Sequence, residues 1–330
     1  MPRIAVIDDY LNNALRMADW SKIAARAEIV VFNDHAHDDA AVVGRLRDFD
    51  IVCAMRERTW FSRAVLQRLP KLRLLCSTAP RNAAVDVAAA HELGIMCCGT
   101  RAPNGATAEL TWGLILALLR NIPGEHQHVR EGGWQQRIGR DVSYLTLGVI
   151  GLGRLGAQVA KVGKAFGMKV LAWSPNLTPE RAAPHAVEAV SKERLLAEAD
   201  IVTLHMVLRD STRGLMAAAD FARMKREAVF INTSRGPLAD EAALLRALES
   251  GTIAGAALDA FAVEPLPLDH PFRRLSNVVI TPHVGYVTEK TYRMFFEDTV
   301  ENILGFLDGK PVRVMNPRAG DDRNQPSFLP

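Results

Sequence analysis

The feature that most constrains the fold of this chain is a glycine-rich stretch near its middle, residues 146–156, which reads Thr-Leu-Gly-Val-Ile-Gly-Leu-Gly-Arg-Leu-Gly. Its apolar first half predicts a short buried strand that runs directly into a turn. A helix is predicted after the turn, because Leu155, Val159, Val162 and Phe166 recur at the spacing of one helical face. A strand, a glycine turn and a helix in direct succession are typical of parallel β-α-β architecture.

The glycines of this turn fit the pattern G-x-G-x-x-G at Gly151, Gly153 and Gly156. The first glycine permits a tight turn, the second lets the backbone approach a pyrophosphate, and the third lets the helix pack closely on the strand. Free N–H groups and the positive end of the helix dipole then face the anion. A glycine-rich turn alone is weak evidence, but its place between a strand and a helix predicts a dinucleotide-binding site.

Composition excludes several classes of protein. With 330 residues, the chain is long enough for two domains with separate cores. Hydrophobic residues make up 48% of it and charged residues 23%, the ordinary balance of a globular protein. The net charge of +3 comes without a run of like charges, so we expect no nucleic-acid partner. The sequence shows no apolar signal region and no stretch that could span a bilayer. Cys53, Cys76, Cys97 and Cys98 have no metal or disulfide spacing, so we expect buried free thiols, no metal site and a cytoplasmic location.

Alternating strand and helix patterns fill most of the chain. In the first block the predicted strands are Ile4–Ile7, Glu28–Phe32, Ile51–Ala54, Leu72–Cys76 and Ile95–Cys98, and the predicted helices are Leu11–Arg26, Ala40–Asp48, Ser62–Leu69 and Ala83–Leu93. In the second block, strands are predicted near 146–150, 169–173, 200–204, 228–232, 254–258 and 278–280. The alternation predicts an α/β fold with two doubly wound parallel sheets, joined by a long helix over 103–121. A helix over Glu289–Leu307 could return the chain to the first block, and Asn316–Pro330 is predicted to be a flexible tail.

Ligands of such sheets bind beyond the carboxyl ends of the strands. In the first block, residues 55–59 and 77–83 follow the third and fourth predicted strands and carry Arg56, Arg58 and Arg81. Arginines at strand ends are commonly solvated loop residues. Because both clusters end at the same edge of the sheet, an anion site is an equally good interpretation.

Three polar residues follow successive strand patterns of the second block. Arg235 follows the strand near 228–232, Glu264 follows the one near 254–258, and His283 follows the one near 278–280. Taken singly, each has an ordinary interpretation as a surface arginine, a turn carboxylate or a loop histidine. Together with a dinucleotide turn they supply a charge clamp, a proton donor and a partner for that donor. This set meets the requirements for reducing a carbonyl group with hydride.

These motifs resemble the D-isomer-specific 2-hydroxyacid dehydrogenase family, which includes glyoxylate/hydroxypyruvate reductase and phosphoglycerate dehydrogenase, over about residues 50–313. The matching segments, in order, are 148–156, 200–205 (Asp-Ile-Val-Thr-Leu-His), 232–236 (Asn-Thr-Ser-Arg-Gly), 258–265 (Leu-Asp-Ala-Phe-Ala-Val-Glu-Pro) and 281–285 (Thr-Pro-His-Val-Gly). Several motifs in the family's order make the resemblance specific. It implies a flavodoxin-like substrate domain of residues 1–101 plus 291–330 and a Rossmann cofactor domain of residues 102–290.

The resemblance also implies roles for individual residues. The catalytic set is Arg235, Glu264 and His283. The cofactor contacts fall on Gly151, Gly153, Arg154, Leu155, Gly156, Ser174, His205, Thr233 and Asp259, with Asp259 at the nicotinamide carboxamide. The substrate-binding residues are Arg56, Thr78, Ala79, Arg81 and Asn82. The resemblance further implies a homodimer formed through the cofactor domain.

Two positions depart from the family pattern. Ala79 stands where the family often has glycine, so we expect a tighter or differently turned loop there. Ser174 stands where an acidic residue would hold the ribose hydroxyls, and no lysine or arginine stands beside it in the sequence to bind a 2′-phosphate. The choice between NAD and NADP therefore stays open, with NAD slightly favoured.

The implied reaction moves hydride between a nicotinamide cofactor and the carbonyl carbon of a small 2-oxo acid. Arg235 would bind the carboxylate and carbonyl oxygens, His283 would carry the proton, and Glu264 would favour the protonated histidine. Two alternatives share the motifs. A formate-type dehydrogenase has no hydroxyl proton to move and lacks the glutamate, and a dinucleotide-binding corepressor would act by binding a partner without turnover.

Overall fold

The computed structural model describes residues 1–103 and 105–315. The described residues form two compact units, of which the first contains residues 1–103 and 287–315, and the second contains residues 105–286. The chain therefore leaves the first unit once and returns to it. The predicted tail Asn316–Pro330 lies outside the described residues.

Strands and helices alternate along both units. The strands are β1 (Arg3–Val6), β2 (Glu28–Val31), β3 (Ile51–Ala54), β4 (Leu74–Ser77), β5 (Met96–Cys98), β6 (Thr146–Ile150), β7 (Lys169–Trp173), β8 (Glu188–Ala189), β9 (Ile201–Leu204), β10 (Val229–Asn232), β11 (Gly255–Leu258) and β12 (Val278–Ile280). The α-helices are α1 (Ser21–Ala24), α2 (Asp39–Leu46), α3 (Arg63–Leu66), α4 (Val87–Glu92), α5 (Ala106–Leu119), α6 (Ile122–Arg130), α7 (Arg154–Ala165), α8 (Pro179–Ala182), α9 (Lys192–Glu198), α10 (Ala218–Arg223), α11 (Glu241–Glu249) and α12 (Glu289–Leu307).

The first unit is a five-stranded parallel sheet in the order β2-β1-β3-β4-β5, which is the flavodoxin-like order. Every residue of β3 and β4 is buried, as expected for strands covered by helices on both faces. One face carries an apolar core that includes Val52, Phe61 and Leu75. The long helix α12 packs against β4 and α1.

The second unit is a seven-stranded parallel sheet in the order β12-β11-β10-β9-β6-β7-β8. Numbered within the unit, the first six strands follow the Rossmann order 3-2-1-4-5-6, and β12 adds a seventh at one edge. One core cluster lies around Phe221 and Phe230, and another lies around Trp112 and Val149. The α/β prediction with two doubly wound parallel sheets is confirmed.

The helix after the glycine turn is present, but its buried face differs from the predicted one. α7 buries Gly156, Val159, Ala160 and Gly163, whereas the side chains of Val162 and Phe166 are exposed. A Cβ at position 163 would lie 2.8 Å from a Leu147 methyl carbon, so α7 approaches β6 through small residues. The prediction was wrong because the spacing of large apolar residues does not reveal a face made of glycine and alanine.

The predicted helix over Leu11–Arg26 was also wrong. That region contains a 3₁₀ turn at Ala14–Arg16 and the short helix α1. The carboxylate of Asp9 accepts a hydrogen bond from the Ala14 N–H at 2.8 Å, and the Trp20 indole N–H donates to the Ala14 carbonyl at 3.0 Å. These side-chain bonds to the backbone replace bonds of a continuous helix.

Other boundaries differ by a few residues, and some elements lacked a prediction. Helix α4 begins at Val87 rather than near Ala83, because the Asp86 carboxylate caps it by accepting from the Ala89 N–H at 2.9 Å. Strand β4 begins two residues after the predicted Leu72. Helix α6 and the short edge strand β8 have no counterpart among the predicted elements.

Candidate active site

The glycine turn connects β6 to α7, and two of its three glycines are required by close contacts. Gly151 has φ of +101°, and a Cβ there would lie 2.6 Å from the His205 carbonyl oxygen. A Cβ on Gly156 would lie 2.0 Å from the Gly151 carbonyl oxygen, so only glycine lets the helix start this close to the turn. Gly153 is exposed, and a Cβ there would meet no atom within 4 Å. The turn therefore leaves open space where the backbone would approach a pyrophosphate.

The residues next to these glycines lie at the start of α7. Arg154 is exposed in the first turn of the helix, and Leu155 is half-buried. Ser174 follows β7, and its hydroxyl oxygen accepts a hydrogen bond from the Leu152 N–H of the glycine turn at 3.1 Å. Ser174 is thereby fixed beside the turn, at the position where a Rossmann sheet contacts the ribose.

His205 follows β9 and lies against the same turn. Its backbone N–H donates to the Ile150 carbonyl at 2.8 Å, and its Nε2 lies 2.9 Å from the Thr203 hydroxyl. The Nδ1 atom is buried and has no hydrogen-bond partner among the described residues. Burial without a compensating acidic group lowers the pKa of His205 to about 4. The imidazole is therefore neutral at physiological pH.

Asp259 follows β11 and organises the loop that carries His283. Its Oδ1 accepts hydrogen bonds from the Thr281 hydroxyl at 2.6 Å and the Val284 N–H at 2.8 Å, and its Oδ2 accepts from the Gly285 N–H at 2.8 Å. Burial raises the pKa of Asp259, and these three donors oppose the increase. Its carboxylate thus fixes the loop on both sides of His283.

Thr233 and Arg235 follow β10. The Thr233 hydroxyl is buried and lies 2.9 Å from the hydroxyl of Thr111 on α5. The Asn232 side-chain amide donates to the Arg235 carbonyl at 3.0 Å, which fixes the backbone of the arginine. The half-buried Arg235 guanidinium donates to the Ser234 carbonyl at 2.7 Å.

A close backbone contact joins Arg235 to the segment that carries Glu264. A Cβ on Gly236 would lie 2.0 Å from the Phe261 carbonyl carbon, so only glycine allows this approach. The Phe261 N–H in turn donates to Glu264 Oε1 at 2.9 Å. Arg235 and Glu264 are therefore held on adjacent loops at the carboxyl end of the sheet.

The structure pairs Glu264 with His283. Glu264 Oε2 lies 2.7 Å from His283 Nδ1, and the His283 ring makes an edge contact with Tyr286 at a centroid distance of 5.8 Å. His283 has φ of +54°, a left-handed conformation that costs a non-glycine residue about 1 kcal/mol. Because Nδ1 faces the carboxylate, Nε2 is the ring nitrogen left for proton transfer to a substrate.

The predicted substrate residues lie in the first unit, where hydrogen bonds join three of them. The Arg56 N–H donates to the Thr78 hydroxyl at 2.8 Å, and the Asn82 side-chain amide donates to the Arg56 carbonyl at 2.6 Å. The Asn82 amide also donates to the Ser77 hydroxyl at 2.8 Å. The loops after β3 and β4 are therefore tied together by their own side chains.

The other two predicted substrate residues differ in their surroundings. Ala79 is buried, its N–H donates to the Thr100 hydroxyl at 2.7 Å, and its φ of +78° is left-handed. Ala79 thus adopts the backbone conformation that glycine takes most readily. Arg81 is exposed and forms no hydrogen bond or ion pair with any residue that the structure describes.

The sequence analysis did not identify Glu241, which holds the segment that carries Glu264. Glu241, in the first turn of α11, accepts from the Ala262 N–H at 3.1 Å through Oε2, and its Oε1 lies 3.2 Å from His270 Nε2. In the structure Asp240 caps α11 by accepting a hydrogen bond from the Ala243 N–H at 3.0 Å, so the pair Asp240-Glu241 is a helix-start signal in the sequence. Nothing in that signal indicates the contact with residues 261–270.

Residues 1–103 and 105–315 contain no cluster of three or more histidine, cysteine, aspartate or glutamate side chains that could hold a metal ion. None of the helices in this part of the chain has the length and apolarity to cross a membrane.

Comparison with known proteins identifies the family. Residues 112–285 match the model of the D-isomer specific 2-hydroxyacid dehydrogenase NAD binding domain. The chain is 34% identical to the glyoxylate reductase of Korarchaeum cryptofilum over 305 residues. The aligned region covers 90% of this chain and 92% of that relative. It is 37% identical over 278 residues to the D-3-phosphoglycerate dehydrogenase of Synechocystis sp., covering 83% of this chain and 50% of that relative.

A solved structure agrees with this identification. The crystal structure of a phosphoglycerate oxidoreductase from Vibrio cholerae superposes with a TM-score of 0.89 at 33% identity, covering 94% of this chain and all of the other. These similarities agree with the parallel-sheet order and with the glycine turn after β6. The chain belongs to the D-isomer-specific 2-hydroxyacid dehydrogenase family, whose members act on CH–OH groups with a nicotinamide cofactor.

Proposed function

We propose that this protein interconverts a small 2-oxo acid and the corresponding D-2-hydroxy acid, with a substrate of the glyoxylate, hydroxypyruvate or 3-phosphoglycerate type. The observation that carries the proposal is the 2.7 Å contact between Glu264 Oε2 and His283 Nδ1 at the carboxyl end of a Rossmann sheet. A carboxylate–imidazole pair is suited to moving one proton to and from a substrate oxygen.

The residues around the glycine turn fit a dinucleotide. Gly153 leaves open space at the start of α7, and the contacts of Gly151 and Gly156 keep the turn tight. We propose that Gly151, Gly153, Arg154, Leu155 and Gly156 hold the pyrophosphate, with Ser174, His205, Thr233 and Asp259 along the rest of the cofactor. When bound, the nicotinamide supplies or accepts the hydride.

Arg235 would bind and orient the acid. Its backbone is fixed by Asn232 and by the close approach of Gly236 to Phe261, so the guanidinium starts from a rigid position. A planar guanidinium can donate to two oxygens of one substrate at once. Those bonds would hold the carbonyl carbon in place and stabilise negative charge that develops on its oxygen.

His283 would exchange the proton with the substrate oxygen. Glu264 holds the ring through Nδ1, so Nε2 would face the substrate oxygen. In reduction, Nε2 donates its proton to the carbonyl oxygen, and in oxidation it removes the hydroxyl proton. The loop bonds to Asp259 keep the backbone on the C-terminal side of His283 in place during this exchange.

In the first unit, we propose that Arg56, Thr78, Ala79, Arg81 and Asn82 contribute contacts to the substrate. The N–H donors of Arg56 and Ala79 already have hydroxyl partners, at Thr78 and Thr100 respectively. The exposed Arg81 is the residue of this set whose charge is available to an anion. By these roles, residues 1–101 with 291–330 form the substrate domain and residues 102–290 form the cofactor domain.

We also propose that the protein is a homodimer in the cytoplasm. Helix α6 and the connection after it expose five large apolar side chains, at Ile122, Val129, Trp134, Ile138 and Tyr144. An apolar surface of this kind on one segment is typical of an interface, and a second copy is the proposed occupant. The four cysteines are free and buried, which suits a reducing compartment.

The test is turnover with glyoxylate, hydroxypyruvate and 3-phosphohydroxypyruvate, each with NADH and with NADPH. Reduction of at least one substrate by the wild-type chain is expected. His283→Asn should lower kcat by about 10²- to 10⁴-fold, the usual range for lost general acid catalysis, with little change in cofactor affinity. Activity with formate would favour the formate-type alternative. Cofactor binding without turnover of any acid would favour a corepressor-like protein.

The variant Glu264→Gln tests the pairing itself. It keeps the size of the side chain but replaces the carboxylate that lies 2.7 Å from His283 Nδ1, so the ring should be held less firmly for proton transfer. The kcat for reduction should therefore fall, with little change in cofactor affinity. An unchanged kcat would contradict the role given to Glu264.

A further inference from the structure

The loop after β7 carries a cation that the sequence pattern did not place there. Arg181 lies seven positions beyond Ser174, at the end of a segment that contains Pro175 and Pro179. Its guanidinium Nη1 donates to the Asn176 carbonyl at 2.7 Å. The side chain therefore folds back from α8 to the loop that begins at Ser174.

Local structure explains this return. Thr178 caps α8, and its hydroxyl accepts from the Arg181 backbone N–H, so the helix starts at Pro179. Arg181 therefore lies in the first turn of α8, from which its side chain reaches back to the Asn176 carbonyl of the preceding loop. The guanidinium uses one donor on Asn176 and keeps others for a ligand. Arg181 is exposed and forms no ion pair with the described residues.

The acidic group nearest in sequence does not occupy the Ser174 position. Glu180 is exposed in the first turn of α8, and hydrogen bonds from Thr178 and from its own backbone lower its pKa. Ser174 itself is neutral and is fixed to the glycine turn by Leu152. A carboxylate at the end of this strand would bind the ribose hydroxyls and repel a 2′-phosphate, but serine does neither. Its O–H remains a donor.

We infer that Ser174 and Arg181 form a subsite for the 2′-phosphate of the cofactor, so that the protein prefers NADPH to NADH. The inference rests on the proposed function, because it assumes that the dinucleotide lies along this turn. The Ser174 hydroxyl and the Arg181 guanidinium would donate to phosphate oxygens, and the cation on Arg181 would offset the charge of the phosphate. Cofactor choice therefore depends on a residue in α8 as well as on the strand end.

Binding of two cofactor fragments to the full chain tests the subsite without catalysis. Adenosine 2′,5′-bisphosphate and adenosine 5′-monophosphate differ only in the 2′-phosphate, and calorimetric titration gives both dissociation constants. The wild-type chain should bind the bisphosphate more tightly. Arg181→Ala should weaken the bisphosphate by roughly 10-fold, as expected for a lost charge-assisted bond, and leave the monophosphate unchanged. Arg181→Lys should retain part of the preference, because lysine keeps the charge without the planar fork.

Matched variants separate this effect from a general change of charge. Arg246→Ala removes an exposed arginine from α11 and should leave both constants unchanged. Ser174→Asp should lower bisphosphate affinity further by repulsion. If NADH and NADPH both bind and Arg181→Ala leaves the ratio of fragment affinities at the wild-type value, the inference is wrong and the proposed function stands. If the wild-type chain binds neither dinucleotide, both are wrong.

Discussion

Acidification from pH 8 to pH 5 is expected to destabilise the second unit through His205. The backbone of the half-buried His205 lies against the glycine turn, its ring Nδ1 is buried, and burial lowers the pKa of the imidazole to about 4. In the unfolded chain a histidine has a pKa of about 6.5. Between these two values the unfolded state binds a proton that the folded state does not bind. Stability therefore falls as the pH falls from about 6.5 to about 4, and this loss is complete below about pH 4.

The size of the effect follows from the two pKa values. At pH 5 the unfolded histidine is almost fully protonated and the folded one is mostly neutral, which costs about 2 kcal/mol relative to pH 8. The slope in the intervening range approaches 1.4 kcal/mol per pH unit for one proton. This is a large part of the stability of an ordinary domain.

Urea unfolding of the wild type and of His205→Gln at several pH values between 5 and 8 measures this contribution. Glutamine keeps a polar group that can reach the Thr203 hydroxyl but does not titrate. Carboxylates elsewhere titrate in both proteins, so the difference in unfolding free energy isolates His205. Hydrogen exchange of amides in β9 and β10 assigns the transition to the second unit. A difference that stays constant from pH 8 to pH 5 would refute a buried neutral histidine at this position.

Three further predictions concern single substitutions or thiols. Arg235→Lys should lower kcat and kcat/KM together by about 10²-fold or more, because the planar guanidinium that lysine lacks is most effective in the transition state. Steady-state kinetics measure both constants, and a raised KM with unchanged kcat would make Arg235 a binding residue only. Ala79→Gly should raise the unfolding free energy by about 1 kcal/mol, because glycine adopts the left-handed backbone conformation of this position without strain. The control Ala84→Gly, at a buried position without positive φ, should lower the unfolding free energy. Burial raises the pKa values of Cys97 and Cys98 to about 12, and a hydrogen bond with Cys53 together with burial raises the pKa of Cys76. A thiol reagent at pH 8 should therefore label the native chain slowly and all four buried cysteines rapidly only after denaturation, and rapid native labelling would contradict their burial.

Much of the fold could be predicted because the decisive signals are local. A parallel strand buried on both faces appears in the sequence as an apolar run, and Ile51–Ala54 was predicted with the bounds that the structure shows. The region after β1 failed because Asp9 and Trp20 bind the backbone of Ala14, an arrangement that apolar spacing does not reveal. The buried face of α7 failed for a different reason, since its close approach to β6 selects small residues.

The candidate site divides in a similar way. The residues predicted for catalysis follow β10, β11 and β12, and the structure pairs two of them, Glu264 and His283. The residues that hold this pair in place could not be predicted from motif spacing. Glu241 lies on α11 and accepts a hydrogen bond from the segment that carries Glu264. The three donors to Asp259 come together only after the chain has folded. Arg181 was missed because a helix cap, rather than adjacency in sequence, returns it to the Ser174 loop.

The division of the first unit between two distant parts of the chain has a consequence for biosynthesis. Strand β4 packs against α12, and the buried Asp298 of α12 accepts hydrogen bonds from the backbone and side chain of Arg101. A ribosome delivers the whole second unit before it delivers α12. The inserted unit can therefore complete its sheet while the first hundred residues still lack a helix that covers them. Folding of the insertion also shortens the loop that must close, which lowers the entropy cost of the last step. We therefore expect the second unit, which is the inner segment of the chain, to finish folding before the first unit, which is formed by the two outer segments.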